Sequence, residues 1–408
     1  MTLPSPSTSS VPRITVVVLT HNRVHEVTET VARLLALPER PPVIVADNGS
    51  TDATVETLRA RFPSVRVVEC GANLGAAGRN HAVAVAETNY VAFSDDDTWW
   101  EPGSLAHAVR VLDESPQVAV LNARVVVGEN ERADATCERM SASPLDSAGL
   151  PGPLLTGYMA GACVFRRAAF LEVGGYEPRL FIGGEEELVS LDLLVRGHAM
   201  VYCDRLVVHH HPSPARDAGL RRRMLARNAA WVAWLRLPLP IALKATLKAL
   251  RVLLHERALW RDAPRLVSGI AWACSRRRVV PPHVLAMRRA VRNAERTADW
   301  LANRNAAWLR TRRAAGGGVS DASGVSGVSG VSGVSGVSGV SGVSGASGTS
   351  GTSGTPSTSG TPSTPGTSGT PGTPGTPGTP GTPGTPGTPS TSGTPSHSGT
   401  STAPRRRA

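Results

Sequence analysis

The chain has 408 residues and a formal net charge of +11, and that charge is unevenly spread. Residues 1–215 carry 17 Lys and Arg against 26 Asp and Glu, whereas residues 216–313 carry 23 against five. From residue 314 onward the sequence is almost wholly Gly, Ser, Thr, Pro and Val, too poor in apolar variety to offset the entropy of ordering. A core is therefore expected within residues 12–313, with a disordered N-terminus (1–12) and a disordered low-complexity tail (314–408).

In chain order, Ile14–Thr20 is a short β-branched run and reads as a buried strand. Residues 24–37 have helical spacing. Val43–Asp47 is a second strand, closed by an Asn48-Gly49 turn, and Ser50, Thr51 and Asp52 offer caps for a helix to about Phe62. Residues 65–70 read as a strand, 75–88 as an Ala-rich helix, 90–94 as a strand, 103–113 as a helix and 118–127 as a longer strand. The alternation then lapses into a polar loop, 128–153, and a small apolar segment, 157–165. A helix over 185–195 and a strand over 200–209 follow. Residues 220–313 read as helical throughout, rich in Arg and Trp.

Alternating strands and helices with short connections predict an α/β fold, a mostly parallel sheet flanked by helices, followed by a C-terminal helical segment. Ligands of such sheets bind beyond the carboxyl ends of the strands. Thr20-His21-Asn22-Arg23, Asp47-Asn48-Gly49 and Asp95-Asp96-Asp97 all fall there. The five cysteines (70, 137, 163, 203 and 274) are odd in number and lack CxxC spacing, which argues against a disulfide framework or a zinc cluster. The polar N-terminus has no signal core. No uncharged apolar run reaches the length of about 18 residues that a spanning helix needs. The expectation is a cytoplasmic protein, or one peripheral at the inner face of the membrane.

In the tail every third residue from Gly324 to Gly399 is Gly, except at Ser357, Ser363, Ser390 and Ser396. That register is the requirement of a collagen triple helix. The residue after each glycine is Val, Thr or Ala rather than Pro, and the serines interrupt the run, so a flexible spacer is the preferred reading.

Three adjacent carboxylates at the end of a buried strand repel one another and are costly unless compensated. A divalent cation reverses that sign, because Mg²⁺ or Mn²⁺ takes oxygen ligands from one or two carboxylates and from substrate phosphates. A solvated acidic turn capping the next helix is the ordinary alternative. The stretches "VVVLTHNR" (16–23), "VIVADNGSTDAT" (43–54), "ANLGAAGRN" (72–80), "VAFSDDDT" (91–98) and "GYMAGACVF…GGEEEL…VVHHH" (157–211) decide between them. In this order and spacing they resemble the family 2 glycosyltransferases of the GT-A fold, in their bacterial rhamnosyltransferase-like branch. The likeness covers residues 13 to about 211.

The resemblance implies three domains: a GT-A glycosyltransferase domain (13–215), a basic helical segment (216–313) and the tail. It implies a nucleotide-sugar site built from Thr20, Asn22, Asp47, Asn48, Arg79, Asn80, Asp95, Asp96 and Gly161. Asp97 would be the first metal ligand, with Asp95 sharing the ion and His210 completing it; the cofactor would be Mn²⁺ or Mg²⁺. The general base would be Glu186, in the position of the family's acidic pair, or else Glu185. Strand alternation lets only some of His209, His210 and His211 face one point. Trp99 and Trp100 read either as a sugar platform or as core.

The implied reaction is inverting transfer from a nucleoside-diphosphate sugar to the hydroxyl of a glycan, a lipid-linked sugar or a small molecule. A catalytically silent sugar-nucleotide scaffold is the main rival. A nucleotidyltransferase is disfavoured because "LTHNR" is not a Gly-rich phosphate loop. The basic helices suit an anionic membrane surface or a packed subdomain with a solvated face. Nucleic acid is not expected as a partner, since no recognition module is visible.

Overall fold

Val16, Val17 and Val18 are wholly buried, because β1 (Ile14–Thr20) lies inside the sheet with helices over its faces. A computed structural model describes residues 12–212 and 218–315. The expected disorder at residues 1–11 and in the tail, and the choice between triple helix and spacer, lie outside the described residues. All described residues fall within one unit, residues 1–345.

β1 pairs in parallel with β2 (Val43–Asp47) on one side and with β4 (Tyr90–Asp95) on the other, placing Val17 between Ile44 and Phe93. β3 (Arg66–Glu69) extends this parallel half beyond β2. The crossovers run through α1 (Val24–Leu35), α2 (Thr54–Arg61) and α3 (Gly78–Val85). Parallel strands need such crossovers, and the helices they carry cover the sheet.

The other half is mixed, so parallel pairing is confined to part of the sheet. β8 (Ala162–Arg166) runs antiparallel between β4 and β6 (Val118–Val127), and β9 (Ala199–His210) returns parallel to β6. β5 (Thr98–Trp100) pairs antiparallel with β9 at the far edge, and β7 (Arg132–Ala133) pairs with β6. β8 is entered from the long connection after β6, so no single crossover helix dictates its direction. The connection contains α5 (Ala135–Ser141), and α6 (Arg167–Glu172) follows β8 directly. β5, α5 and α6 have only three, seven and six residues, too few to display a period in sequence.

α4 (Ser104–Glu114) and α7 (Glu185–Val195) complete the helices of the α/β body. The basic segment forms α8 (Ala218–Arg236), α9 (Leu239–His255), α10 (Leu259–Ser275) and α11 (Pro282–Ala315). α8 ends where Leu237 precedes Pro238, a position that disfavours helical backbone. It packs on α7, α9 and α10. Gly269 lets α10 cross close to the Trp231 ring, whose Nε1 donates to the Leu266 carbonyl at 3.0 Å. The Arg236 guanidinium forks onto both oxygens of Asp192 at 2.5 and 2.9 Å. No helix among the described residues is long and apolar enough to cross a membrane.

Candidate active site

A cleft of about 400 Å³ opens beyond the carboxyl ends of β1 and β4. Its polar wall includes Thr20, His21, Arg23, Asn48, Arg79, Asp95, Asp96, Asp97 and Gly161. Phe181, Ile182 and, from α8, Leu220, Met224 and Leu225 give it an apolar wall; Glu185 and Arg221 also line it.

Each of the three aspartates has its own surroundings. Asp95 pairs with Arg79, a guanidinium that is 2% exposed. Its carboxylate stands so close to Gly161 that a Cβ there would collide with Oδ2. Asp96 is buried, accepting from Thr20 Oγ1 at 3.1 Å and from Arg23 at 2.8 Å. Burial pushes its carboxyl up to about 7, although the Arg23 charge pulls the other way. Asp97 is buried with one oxygen 3.4 Å from Arg23. Its other oxygen stands 3.7 Å from His210 Nε2, beyond hydrogen-bond reach.

That gap bears on metal binding. His210 is 2% exposed, and its Nε2 has no hydrogen-bond partner. Two ligands at bond lengths of about 2.0–2.2 Å from one ion stand roughly 3–4 Å apart. The pair Asp97 and His210 therefore fits a divalent cation. No group of three or more such side chains gathers among the described residues. The remaining positions would fall to water or substrate phosphate, as is usual for Mg²⁺-type sites. His209 and His211 point elsewhere, as strand alternation requires. His209 stacks on Trp99 with ring centroids 5.7 Å apart, and His211 lies 4.8 Å from the same ring. Arg33 caps Trp99 at 3.9 Å, while Trp100 is fully buried in the core.

Across the cleft, α7 begins at Glu185 after Gly183 and Gly184, whose φ values of 81° and 94° are left-handed. Glycine adopts that conformation without a Cβ penalty. Glu185 lines the cleft and Glu186 does not, because successive helical residues diverge by about 100°. Both are buried, and each has one carboxyl oxygen without a hydrogen-bond partner. Burial raises the Glu185 carboxyl, opposed by nearby N–H groups and by Arg79 and Arg221. Glu186 is raised well above the ordinary glutamate value, by burial first and then by the Glu185 charge. Glu187 turns away to pair with Arg288 of α11.

The other expected residues divide into cleft and support. Asn48 lines the cleft and donates to the Gly75 carbonyl at 2.8 Å. Asp47 lies buried beside it; Oδ2 accepts from the N–H groups of Gly49 and Ser50 at 3.1 and 3.0 Å, while Oδ1 has no partner. Asn22 ties the first strand end to the second, its Oδ1 accepting from Thr51 N at 2.7 Å and its own N–H donating to Ser50 Oγ at 2.9 Å. Asn80 is turned from the cleft. It clamps Tyr176, donating to the carbonyl at 2.8 Å and accepting from the N–H at 2.9 Å. The sequence reading places Arg23 at the end of the first strand without a role of its own, and assigns none to Arg221 or Asn228. Asn228, wholly buried on α8, donates to the carbonyls of Leu180, Ile182 and Gly183 at 2.6, 3.0 and 2.6 Å. Its signal in sequence is the Arg227-Asn228 pair, which resembles a pair in the same place in members of the family 2 glycosyltransferases.

Residues 15–174 match glycosyl transferase family 2, and residues 315–404 match the collagen triple helix repeat. The N-acetylglucosaminyl-diphospho-decaprenol L-rhamnosyltransferase of Mycobacterium tuberculosis (strain H37Rv) is 25% identical over 297 residues, spanning 61% of this chain and 95% of its own length. The pre-mycofactocin glycosyltransferase of the same organism is 28% identical over 237 residues, 55% of this chain and 48% of its own. Among solved structures, the mannosyltransferase PcManGT of Pyrobaculum calidifontis, in complex with GDP-Man and Mn²⁺, is 21% identical, with a TM-score of 0.45 over 74% of this chain and 81% of that one. The strand-end motifs stand in the family's order, and residues 15–174, which hold β1 to β4 and β8, match glycosyl transferase family 2.

Proposed function

We propose that the cleft transfers a sugar, with inversion, from a nucleoside diphosphate to an acceptor hydroxyl. The observation that carries this is the presence of two acidic groups, from separate elements, in the lining of one cleft. Asp95 to Asp97 stand at the end of β4, and Glu185 stands at the start of α7. The acceptor oxygen bonds to the anomeric carbon as the bond from that carbon to the diphosphate oxygen breaks. Glu185 takes the hydroxyl proton, and the diphosphate leaves with the bonding electrons. A divalent cation held by Asp97 and His210 supplies Lewis acidity toward the departing diphosphate. Arg79 fixes Asp95 for the donor, and the free Oδ1 of Asp47 waits for a donor N–H of the nucleotide.

Glu185 is assigned as base in place of Glu186 because it faces the cleft. Burial raises both carboxyls, so a proton is held more readily at this pair than at an exposed glutamate. Residues 13–215 supply the donor side. Residues 216–313 close the acceptor side through α8. The mycobacterial relative is named for L-rhamnosyl transfer to a decaprenyl-diphosphate-linked sugar. We extend that class to this chain: L-rhamnose as donor sugar and a polyprenyl-diphosphate-linked sugar as acceptor. Phe181, Ile182, Met224 and Leu225 support the extension, since an apolar wall suits an acceptor with a lipid portion.

The test is a panel of nucleoside-diphosphate sugars with Mn²⁺ or Mg²⁺, reading release of nucleoside diphosphate. One donor should be turned over, and Asp97→Asn and Glu185→Gln should each lower the rate by about 10²-fold or more. Undiminished turnover in both variants would refute the site. Absence of release from every donor would favour a silent scaffold.

A further inference from the structure

We propose that the exposed face of α9, together with the start of α10, docks on an anionic lipid bilayer. On α9, Leu239, Leu243, Leu247 and Leu254 are 53%, 54%, 56% and 59% exposed. Their spacings of four and seven place them in one row along the helix. Lys244, Lys248, Arg251 and His255, also exposed, form the adjoining row. Ala242, Ala249 and Leu253 lie on the opposite side and are buried. α9 is thus held in the fold by one face and presents a leucine row beside a basic row on the other.

α10, which packs on α9, adds exposed apolar residues. Trp260 at its start is 92% exposed, and Val267, two turns on, is 64% exposed. An apolar row flanked by Lys and Arg, with a Trp at its end, is the composition of helices that lie in the headgroup region. Four leucines facing water have no folding role that would explain them.

The sign of charge selects the occupant. Residues 216–313 carry a net +18, which a bilayer containing acidic lipid complements. A second copy of the chain would bring the same positive charge to the contact. The tail has one Asp and three Arg after residue 313, so it offers no complementary charge. The choice of a membrane also rests in part on the lipid-linked acceptor argued above. α8 lines the cleft and packs on α9, so docking would hold the cleft beside the bilayer that carries such an acceptor.

The experiment is sedimentation of the full chain with vesicles of phosphatidylcholine alone and of phosphatidylcholine mixed with phosphatidylglycerol, at low and high salt. The mixed vesicles should bind it, less so at high salt. Lys244→Gln and Arg251→Gln should each lower partition about fivefold. Leu243→Ser and Leu247→Ser should each lower it about tenfold. Nucleoside-diphosphate release from soluble donor should stay unchanged in all four variants, since none touches the cleft. Equal binding by wild type and variants, or none by wild type, overturns the proposal. So does light scattering that shows a dimer dissolved by the leucine variants. Vesicle binding without turnover of any donor would refute the proposed reaction and leave the docking surface standing; turnover without vesicle binding would do the reverse.

Discussion

Replacing Asn228 with alanine removes the side chain that holds the loop in front of Glu185. Its amide has two hydrogens for three carbonyls, at 2.6, 3.0 and 2.6 Å, so it supplies two full bonds. The residue is wholly buried. Each buried acceptor left unpaired costs about 1–3 kcal/mol, so the variant should lose roughly 2–4 kcal/mol once partial relaxation is counted. Urea unfolding followed by circular dichroism would read this loss. The same loop sets where α7 begins, and a displacement of about 1 Å at a reacting group can cost about 10²-fold in rate. Turnover should therefore fall about 100-fold at saturating donor, with little change in donor KM, because Asn228 does not face the donor side. A stability change under about 0.5 kcal/mol, within the range of ordinary surface substitutions, together with preserved turnover would refute the clamp.

Gly161→Ala should push Asp95 off Arg79, lowering kcat/KM by about 10²-fold while costing about 1–3 kcal/mol in stability, and a rescue of activity by high donor concentration alone would count against it. Asn80→Ala should cost about 1–3 kcal/mol by releasing the Tyr176 backbone, with donor KM nearly unchanged; a selective rise in KM would restore Asn80 to the nucleotide. His210→Ala should raise the Mn²⁺ concentration needed for half-maximal activity, and the outcome that contradicts the metal pair is an unshifted Mn²⁺ titration. Glu186→Gln tests burial of the second acid. Because its folded pKa is raised, the stability Glu186 contributes is complete below the ordinary glutamate value of 4.5 and is lost as pH rises through the folded value. The variant should match wild type near that lower limit and gain on it above, by up to about 1.4 kcal/mol per pH unit, in urea titrations across pH; a gap that stays constant would contradict the raised carboxyl.

The parallel half of the sheet was legible because each strand is a run of β-branched residues closed by a polar cluster. Those clusters fall at the strand ends, and the fold brings them together. Where segments were short, no period existed to read, as with β5 at Trp99-Trp100 and α6 directly after β8. Asn80 shows a different limit of sequence reading. It follows Arg79 in a stretch typical of a nucleotide site, yet one helical step turns it from the cleft onto Tyr176. The same one-step divergence separates Glu185 from Glu186. Sequence can nominate a cluster of acids, but helical phase decides which of them lines the cleft.

The contribution of α8 was hidden for a related reason. Its charge pattern advertises a basic surface, and apart from Arg221 its cleft-lining residues are ordinary leucines and a methionine. Those residues acquire a role only because Asn228 and Gly184 let the helix seat against the loop before α7. The three aspartates show the converse. Their mutual repulsion is relieved in part within the chain, Asp95 by Arg79, Asp96 by Arg23 and Thr20, and Asp97 by Arg23 at 3.4 Å. Asp97 also stands 3.7 Å from a buried histidine nitrogen that has no hydrogen-bond partner. The proposed cation is therefore placed at Asp97 and His210, with the neighbouring carboxylates holding the frame in which the two meet.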